Sequence, residues 1–316
     1  MNLSSVVSEQ STLRVGASPQ EKLMRVADRY RRPMMRLLME PFEASRNLIG
    51  VETLEMLFQL GMHHAIVAYL DRVTVGLDTT LRIAEANKMS QLLLEINAVA
   101  GNITRCDFTV ECLMQFDVTN PEAVIFAEEH AAELVTAVTA ETREAVNEIV
   151  QRMFVEGIPP KQAAPLIKQV VGLTEKQANA VVNLHQRILT SPGKRIYAGK
   201  TPIRVPKTGM STEQLNRTLQ KYSDKLQRQR AMNIARTETV KAANEGQMEL
   251  WRQAQAAGRL PKVIKHEWIA SPTERTCDIC INANGEVKVV GELFSTGTTN
   301  PPAHPSCRCS TGLVLQ

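Results

Sequence analysis

The chain has 316 residues, 43% of them apolar and 22% charged, which suits one large or two ordinary domains with a packed core. No apolar run reaches the length of a membrane span, and "MNLSSVVSEQSTLRVG" lacks the apolar core of a secretory signal, so the expectation is a protein that stays in a reducing cytoplasm. The net charge of +4 is mild but uneven: residues 191–241 hold twelve Lys or Arg against three Asp or Glu, a local +9.

Aromatic residues are scarce at 4%, while Met, Leu, Ala and Val abound, and this leans towards helices. The first helix starts at "SPQEKL", where Ser18 caps, Pro19 suits the first turn and Glu21 closes a capping box. Pro33 is expected to kink or divide it. "VETLEMLFQLGMHHAIVAYLDRV" and "TTLRIAEANKMSQLLLEINAVA" keep helical periodicity, whereas "CDFTVECLMQFDV" reads as extended. Asn120-Pro121-Glu122 opens one long bent helix or two shorter ones, and Gly157 followed by Pro159-Pro160 stops it.

"KQAAPLIKQVVGLTEKQANAVVNLHQRIL" reads as a helical hairpin, with Thr174 and Gln177 as the second helix's capping box. "TSPGKRIYAGKTPIRVPKTGMS" is rich in Gly, Pro and Lys and reads as a long basic loop. Ser211 and Gln214 restart a helix that runs towards Gly258. Beyond it, "KVIKHEWIA" and "GEVKVV" carry β-branched residues at strand spacing. The fold expected is mainly α with a small C-terminal β-rich (α+β), zinc-knuckle-like module. Four regions are expected: helical 1–118, helical 119–190 with the hairpin, a basic loop and helix over 191–258, and the Cys/His module over 259–316.

The module holds "CDIC" (Cys277, Cys280) and "HPSC" (His304, Cys307), with Cys309 two residues on. Two residues between ligands let one tight turn present both to the same ion, and two such turns complete the tetrahedron that structural zinc prefers. A β-rich unit this small has little core of its own, so a metal staple makes physical sense. Cys309 is an alternative to Cys307 as the fourth ligand, or else a plain buried thiol; a metal-free module with all its cysteines in the core is the competing reading. Cys106 and Cys112 have no such neighbours and are expected to be buried apolar residues.

Other patterns fail at named positions. Between Gly193 and Gly199 stand five residues where a phosphate loop needs four. "HEWIA" lacks the second His of a metalloprotease helix, and Thr276 stands where the zinc deaminases have Pro before Cys-x-x-Cys. His63, His64, His130 and His185 read as packing or surface residues. Arg236 and Glu238, two apart on a helix, do not share a face and are expected to hold a neighbouring loop or the tail. Lys194, Arg195, Lys200, Arg204 and Lys207 form a candidate surface for a phosphate backbone, with a solvated face as the alternative.

"IARTETVKAANEGQMELWRQA", "KHEWIASPTERTCDICINANGEV" and "ELFSTGTTNPPAHPSCRC" together resemble the Mu F-like family of phage head morphogenesis proteins, also called minor head proteins. The matched features are Arg236-Thr237-Glu238, Trp268, Arg275 to Cys280, Gly285, Phe294 and Pro301 to Cys309. The resemblance implies a low-copy structural component, not an enzyme, sitting in the capsid interior of a tailed-phage virion after assembly in the host cytoplasm. It implies portal protein and major capsid or scaffold protein as partners, packaged double-stranded DNA as a further one, and no membrane. The other classes weighed are a non-specific DNA-anchoring protein and a metal-dependent enzyme.

Overall fold

The computed structural model describes residues 17–75, 80–107, 112–273 and 276–314, with side chains described outside 73–83. The helices are α1 (Pro19–Leu48), α2 (Val51–Gln59), α3 (His63–Val75), α4 (Thr80–Thr104), α5 (Pro121–Val155), α6 (Pro160–Val170), α7 (Glu175–Thr190), α8 (Thr212–Ala256) and the short α9 (Asp278–Ala283). Five strands accompany them: β1 (Arg195–Ala198), β2 (Thr201–Arg204), β3 (Lys265–Ile269), β4 (Val287–Val289) and β5 (Ser310–Val314). The chain is thus mainly helical, with the larger of its two small sheets at the C-terminal end.

Three helix starts form as their sequences dictate. Ser18 Oγ accepts from Glu21 N while Glu21 accepts from Ser18 N. Thr174 and Gln177 close the same reciprocal box, as do Ser211 and Gln214. The termination at Gly157 also holds, with φ +63°. Pro33 does not divide α1, which stays one helix of 30 residues. Pro33 and Arg29, one turn before it, both lie on the exposed side, where water is at hand for the backbone beside a proline. The helices after Asn120 and Ser211 are likewise single, of 35 and 45 residues.

The chain forms two compact units, each drawn from separate segments. One uses residues 37–85 and 132–231. Its core joins Leu54, Phe58, Ile149, Val170, Val181 and Ile188. Here the stretch expected to be a loop is a β-hairpin. β1 and β2 pair antiparallel, Arg195 opposite Arg204 and Ile196 opposite Ile203. Ile196 and Ile203 pack on the helical core from one face of the ribbon. Period-two alternation explains why a Lys- and Pro-rich segment still makes strands. Arg230 is buried in this unit and donates to Thr142 Oγ1, the Gly172 carbonyl and the Val138 carbonyl while pairing with Glu141.

The other unit uses residues up to Arg36, Ala86–Ala131 and from Met232 onward. α4 and α8 meet backbone to backbone: a Cβ at Gly246 would stand 2.2 Å from the Asn97 carbonyl oxygen, and one at Gly101 2.8 Å from that of Gly246. Asn97 bridges the crossing: with its side-chain amide turned so that the nitrogen faces the two acceptors, it donates to the Ala242 carbonyl at 2.7 Å and the Leu93 carbonyl at 3.1 Å. Trp251, Leu250 and Ala254 of α8 then pack with Phe116, Ile264 and Leu313. The three-stranded antiparallel sheet has the order β4-β3-β5. β3 alternates, burying His266 and Trp268.

In the stretch read as extended, Cys106 and Asp107 lie in a turn and bend, residues 112–117 are irregular, and residues 108–111 lie outside the described residues. Cys106 and Cys112 correct the expectation of buried thiols. Both are exposed, and a disulfide joins them.

Candidate metal centre

Cys277 caps the N-terminus of α9 and Cys280 lies one turn on, so the helix brings both sulfurs to one side. The second pair comes from the turn His304–Cys307, where Cys307 N donates to the His304 carbonyl and Ser306 adopts φ +62°. Pro301, Pro302 and Pro305 restrict the chain around it. Two residues of α8 hold this segment. Thr237 Oγ1 accepts from Ser306 N at 3.0 Å, and Asn244 Nδ2 donates to the Cys309 carbonyl at 3.2 Å. α1 adds two contacts at Arg308: Gln20 Nε2 donates to its carbonyl, and Asp28 pairs with its guanidinium.

The donor atoms converge. His304 Nε2 lies 3.1 Å from Cys277 Sγ and 3.3 Å from Cys280 Sγ, and Cys280 Sγ lies 3.7 Å from Cys307 Sγ. A tetrahedral zinc with Zn–S of about 2.3 Å has sulfur–sulfur edges of about 3.8 Å, so the Cys280–Cys307 separation suits a shared ion. Two overlapping sets of three donors share Cys280: Cys277, Cys280 and His304, and Cys280, Cys307 and Cys309. Each set could hold a metal ion, and neither contains a carboxylate. The Pro305 carbonyl lies 3.0 Å from His304 Nδ1; a bond there leaves Nε2 to face the sulfurs. Cys280, Cys307 and Cys309 are buried beside Trp268, Ala283 and Phe294, whereas Cys277 and His304 are only partly covered.

The hydrogen bond from the Cys309 thiol draws Cys307 down to about 5. Burial, reinforced by the charge on Cys307, pushes Cys280 up to about 12. Cys309 is raised as well, first because its thiol is held as donor to Cys307 and then by burial. Burial opposes protonation of His304, but the Pro305 carbonyl and the neighbouring thiolates outweigh it and raise that group. Cys277 is lowered too, first by the backbone amide of Cys280, so thiolate character is shared between the two turns. A dication is the species that would let several thiolates coexist.

The other sequence candidates separate. His266 is wholly buried between Trp251 and Phe294, with neither ring nitrogen bonded, and burial together with the charge of Arg252 lowers it to about 4. His185 is buried and lowered by the same desolvation. His63 packs edge-on against Phe154. Glu238 does not hold the tail: it pairs with His130 Nε2 at 2.5 Å, while Lys241 Nζ stands 3.2 Å from Nδ1. Thr237, between the two signature charges, is the residue that reaches the ligand turn. Arg275 lies outside the described residues.

Lys194, Arg195, Lys200, Arg204 and Lys207 come together on and beside the hairpin, all exposed and, among the described residues, none in an ion pair. Its outward face presents Arg195 and Tyr197 opposite Arg204 and Pro202.

Residues 204–312 match the family model described as Phage Mu protein F like protein. That segment spans α8, β3, β4, the start of β5 and all five Cys and His donors. No curated protein and no solved structure matches the chain.

Proposed function

We propose, for a chain whose residues 204–312 are those of a Phage Mu protein F like protein, that it is a minor head protein of a tailed phage. It works by holding partners in the capsid interior, against portal and shell protein, and it turns over no substrate. One observation carries this: the matched segment coincides with a cluster that closes a fold. Cys277, Cys280, His304 and Cys307 hold one structural zinc, with Cys309 as the reserve thiol. Bound there, zinc supplies a cross-link between α9 and the turn that α8 supports. Four protein donors leave no open coordination position for chemistry.

The basic hairpin favours a DNA contact within the same role. Arg195 and Arg204 are like charges directly opposite on a ladder, which is unfavourable until an anion lies across them. The whole reading is tested by purifying immature heads that carry Cys277→Ser. Loss of the protein from heads, together with loss of about one zinc per chain, is expected. Normal incorporation of a zinc-free chain overturns the structural assignment. A zinc-dependent turnover that survives in free protein overturns the non-catalytic one.

A further inference from the structure

Arg236 belongs to the helix signature yet holds nothing. Among the described residues its guanidinium makes no hydrogen bond or ion pair, and its Nε is buried without a partner. It lines a cleft of about 890 Å³, together with Gln20 and Met24 of α1, Pro272, Thr276 and the turn from His304 to Cys309. A guanidinium partly withdrawn from water is unfavourable unless an acceptor completes its bonding.

The other charges around this cleft are engaged elsewhere: Cys277, Cys280, His304 and Cys307, which also line it, are committed to the proposed zinc. Arg308 pairs with Asp28 at 3.1 Å, and the Glu21 carboxylate accepts from Ser18 N at 3.0 Å. One cation is therefore unmatched. We infer that the cleft receives a single carboxylate carried on a segment of a partner protein, with Arg236 taking it in a forked pair. Met24 and Pro272 give apolar cover to the atoms flanking that carboxylate. A DNA backbone fits poorly, because a polyanion calls for a row of cations and here Asp28 and Glu21 stand beside a single free one. The volume lies within the range of sites that enclose a small ligand, enough for one acidic residue and its flanks.

This inference rests on the proposed zinc, which offsets the charge of the thiolates lining the cleft, and requires neither a phage head nor bound DNA. The test is a titration of the full zinc-loaded chain, followed through the arginine Nε–H resonances. The probes are N-acetylglutamate amide, the uncharged N-acetylglutamine amide, inorganic phosphate and a short blunt DNA duplex. The expected result is a saturable shift of one resonance by the glutamate probe, with a dissociation constant on the order of 1 mM and about tenfold weaker binding of the glutamine probe. Arg236→Gln removes that response and Arg236→Lys weakens it, because an ammonium lacks the planar fork. Zinc content and thermal midpoint show whether each variant is folded, and the wild-type titration stands without them. No saturable shift, an equal response to the glutamine probe, or a stronger response to phosphate or duplex overturns the inference.

Discussion

Asn244, in the middle of α8, donates its side-chain amide to the Cys309 carbonyl at 3.2 Å, across 65 positions of sequence. The same amide also reaches the Val240 carbonyl, one turn back, at 3.0 Å. The helix thereby fixes the backbone that carries the last two cysteines, and the register of α8 becomes a condition for assembling the donor cluster.

Asn244→Ala therefore carries two expected losses. A buried carbonyl left without its donor costs about 1–3 kcal/mol. The ligand turn also loosens, so the zinc proposed there should be surrendered to a competing chelator at lower chelator concentration, by about tenfold. Urea unfolding measures the first and chelator competition the second. An unchanged chelator midpoint would mean that α8 does not position the site.

The crossing of α4 and α8 predicts a severe effect from a small substitution. A methyl at Gly246 would stand 2.2 Å from one backbone oxygen and 2.4 Å from the Asn97 Cα, and neither is the end of a flexible side chain. Gly246→Ala is expected to separate the helices and cost about 3 kcal/mol or more, the range for overpacked cores. Gly199→Ala, at φ +60° with nothing within 4 Å of the new methyl, is expected to cost only about 1 kcal/mol. Thermal melting of the two variants decides between close approach and backbone conformation as the dominant effect.

His266 gives stability a pH dependence whose sign can be worked out. Its folded value, about 4, lies below the ordinary 6.5, because burial disfavours the charged ring. The unfolded chain then binds the proton more readily, so this contribution is present above pH 6.5 and is lost as pH falls towards 4. The full difference amounts to about 3 kcal/mol. His266→Leu should flatten that part of the pH–stability profile in zinc-free protein, where thiol protonation no longer releases metal. An unaltered slope would assign the acid sensitivity to another group.

The sequence showed local chemistry well and distant pairing poorly. Ser18, Thr174 and Ser211 revealed their capping boxes because each partner lies three residues away. The Cys and His spacing revealed the cluster for the same reason. The hairpin at 195–204 was obscured by its Lys and Pro content, although Ile196 and Ile203 already carried the alternation. The Asn244 and Thr237 supports could not be read, since nothing in a helix shows which loop will reach it. The Cys106–Cys112 disulfide runs against the expectation of free thiols, which rests on a reducing cytoplasmic setting rather than on the six-residue spacing of the pair.

The hairpin supplies the last prediction. Among the described residues, the five exposed cations Lys194, Arg195, Lys200, Arg204 and Lys207 have no ion-pair partner, and two of them face each other across the ladder. If duplex DNA lies on this face, each phosphate neutralised releases counterion, and the logarithm of affinity falls with that of salt at a slope of about −0.9 per contact. Replacing all five by Gln should lower the affinity and reduce the slope by about 4.5 if every cation meets a phosphate. Replacing Arg195 and Arg204 alone should remove about two. Tyr197→Ala should lower affinity and leave the slope unchanged, because it deletes a contact and no charge. Fluorescence anisotropy with a labelled duplex across a salt series reads all three. Equal slopes in wild type and the five-fold variant would leave the hairpin a solvated surface and send the search for any DNA contact to the charges of α8.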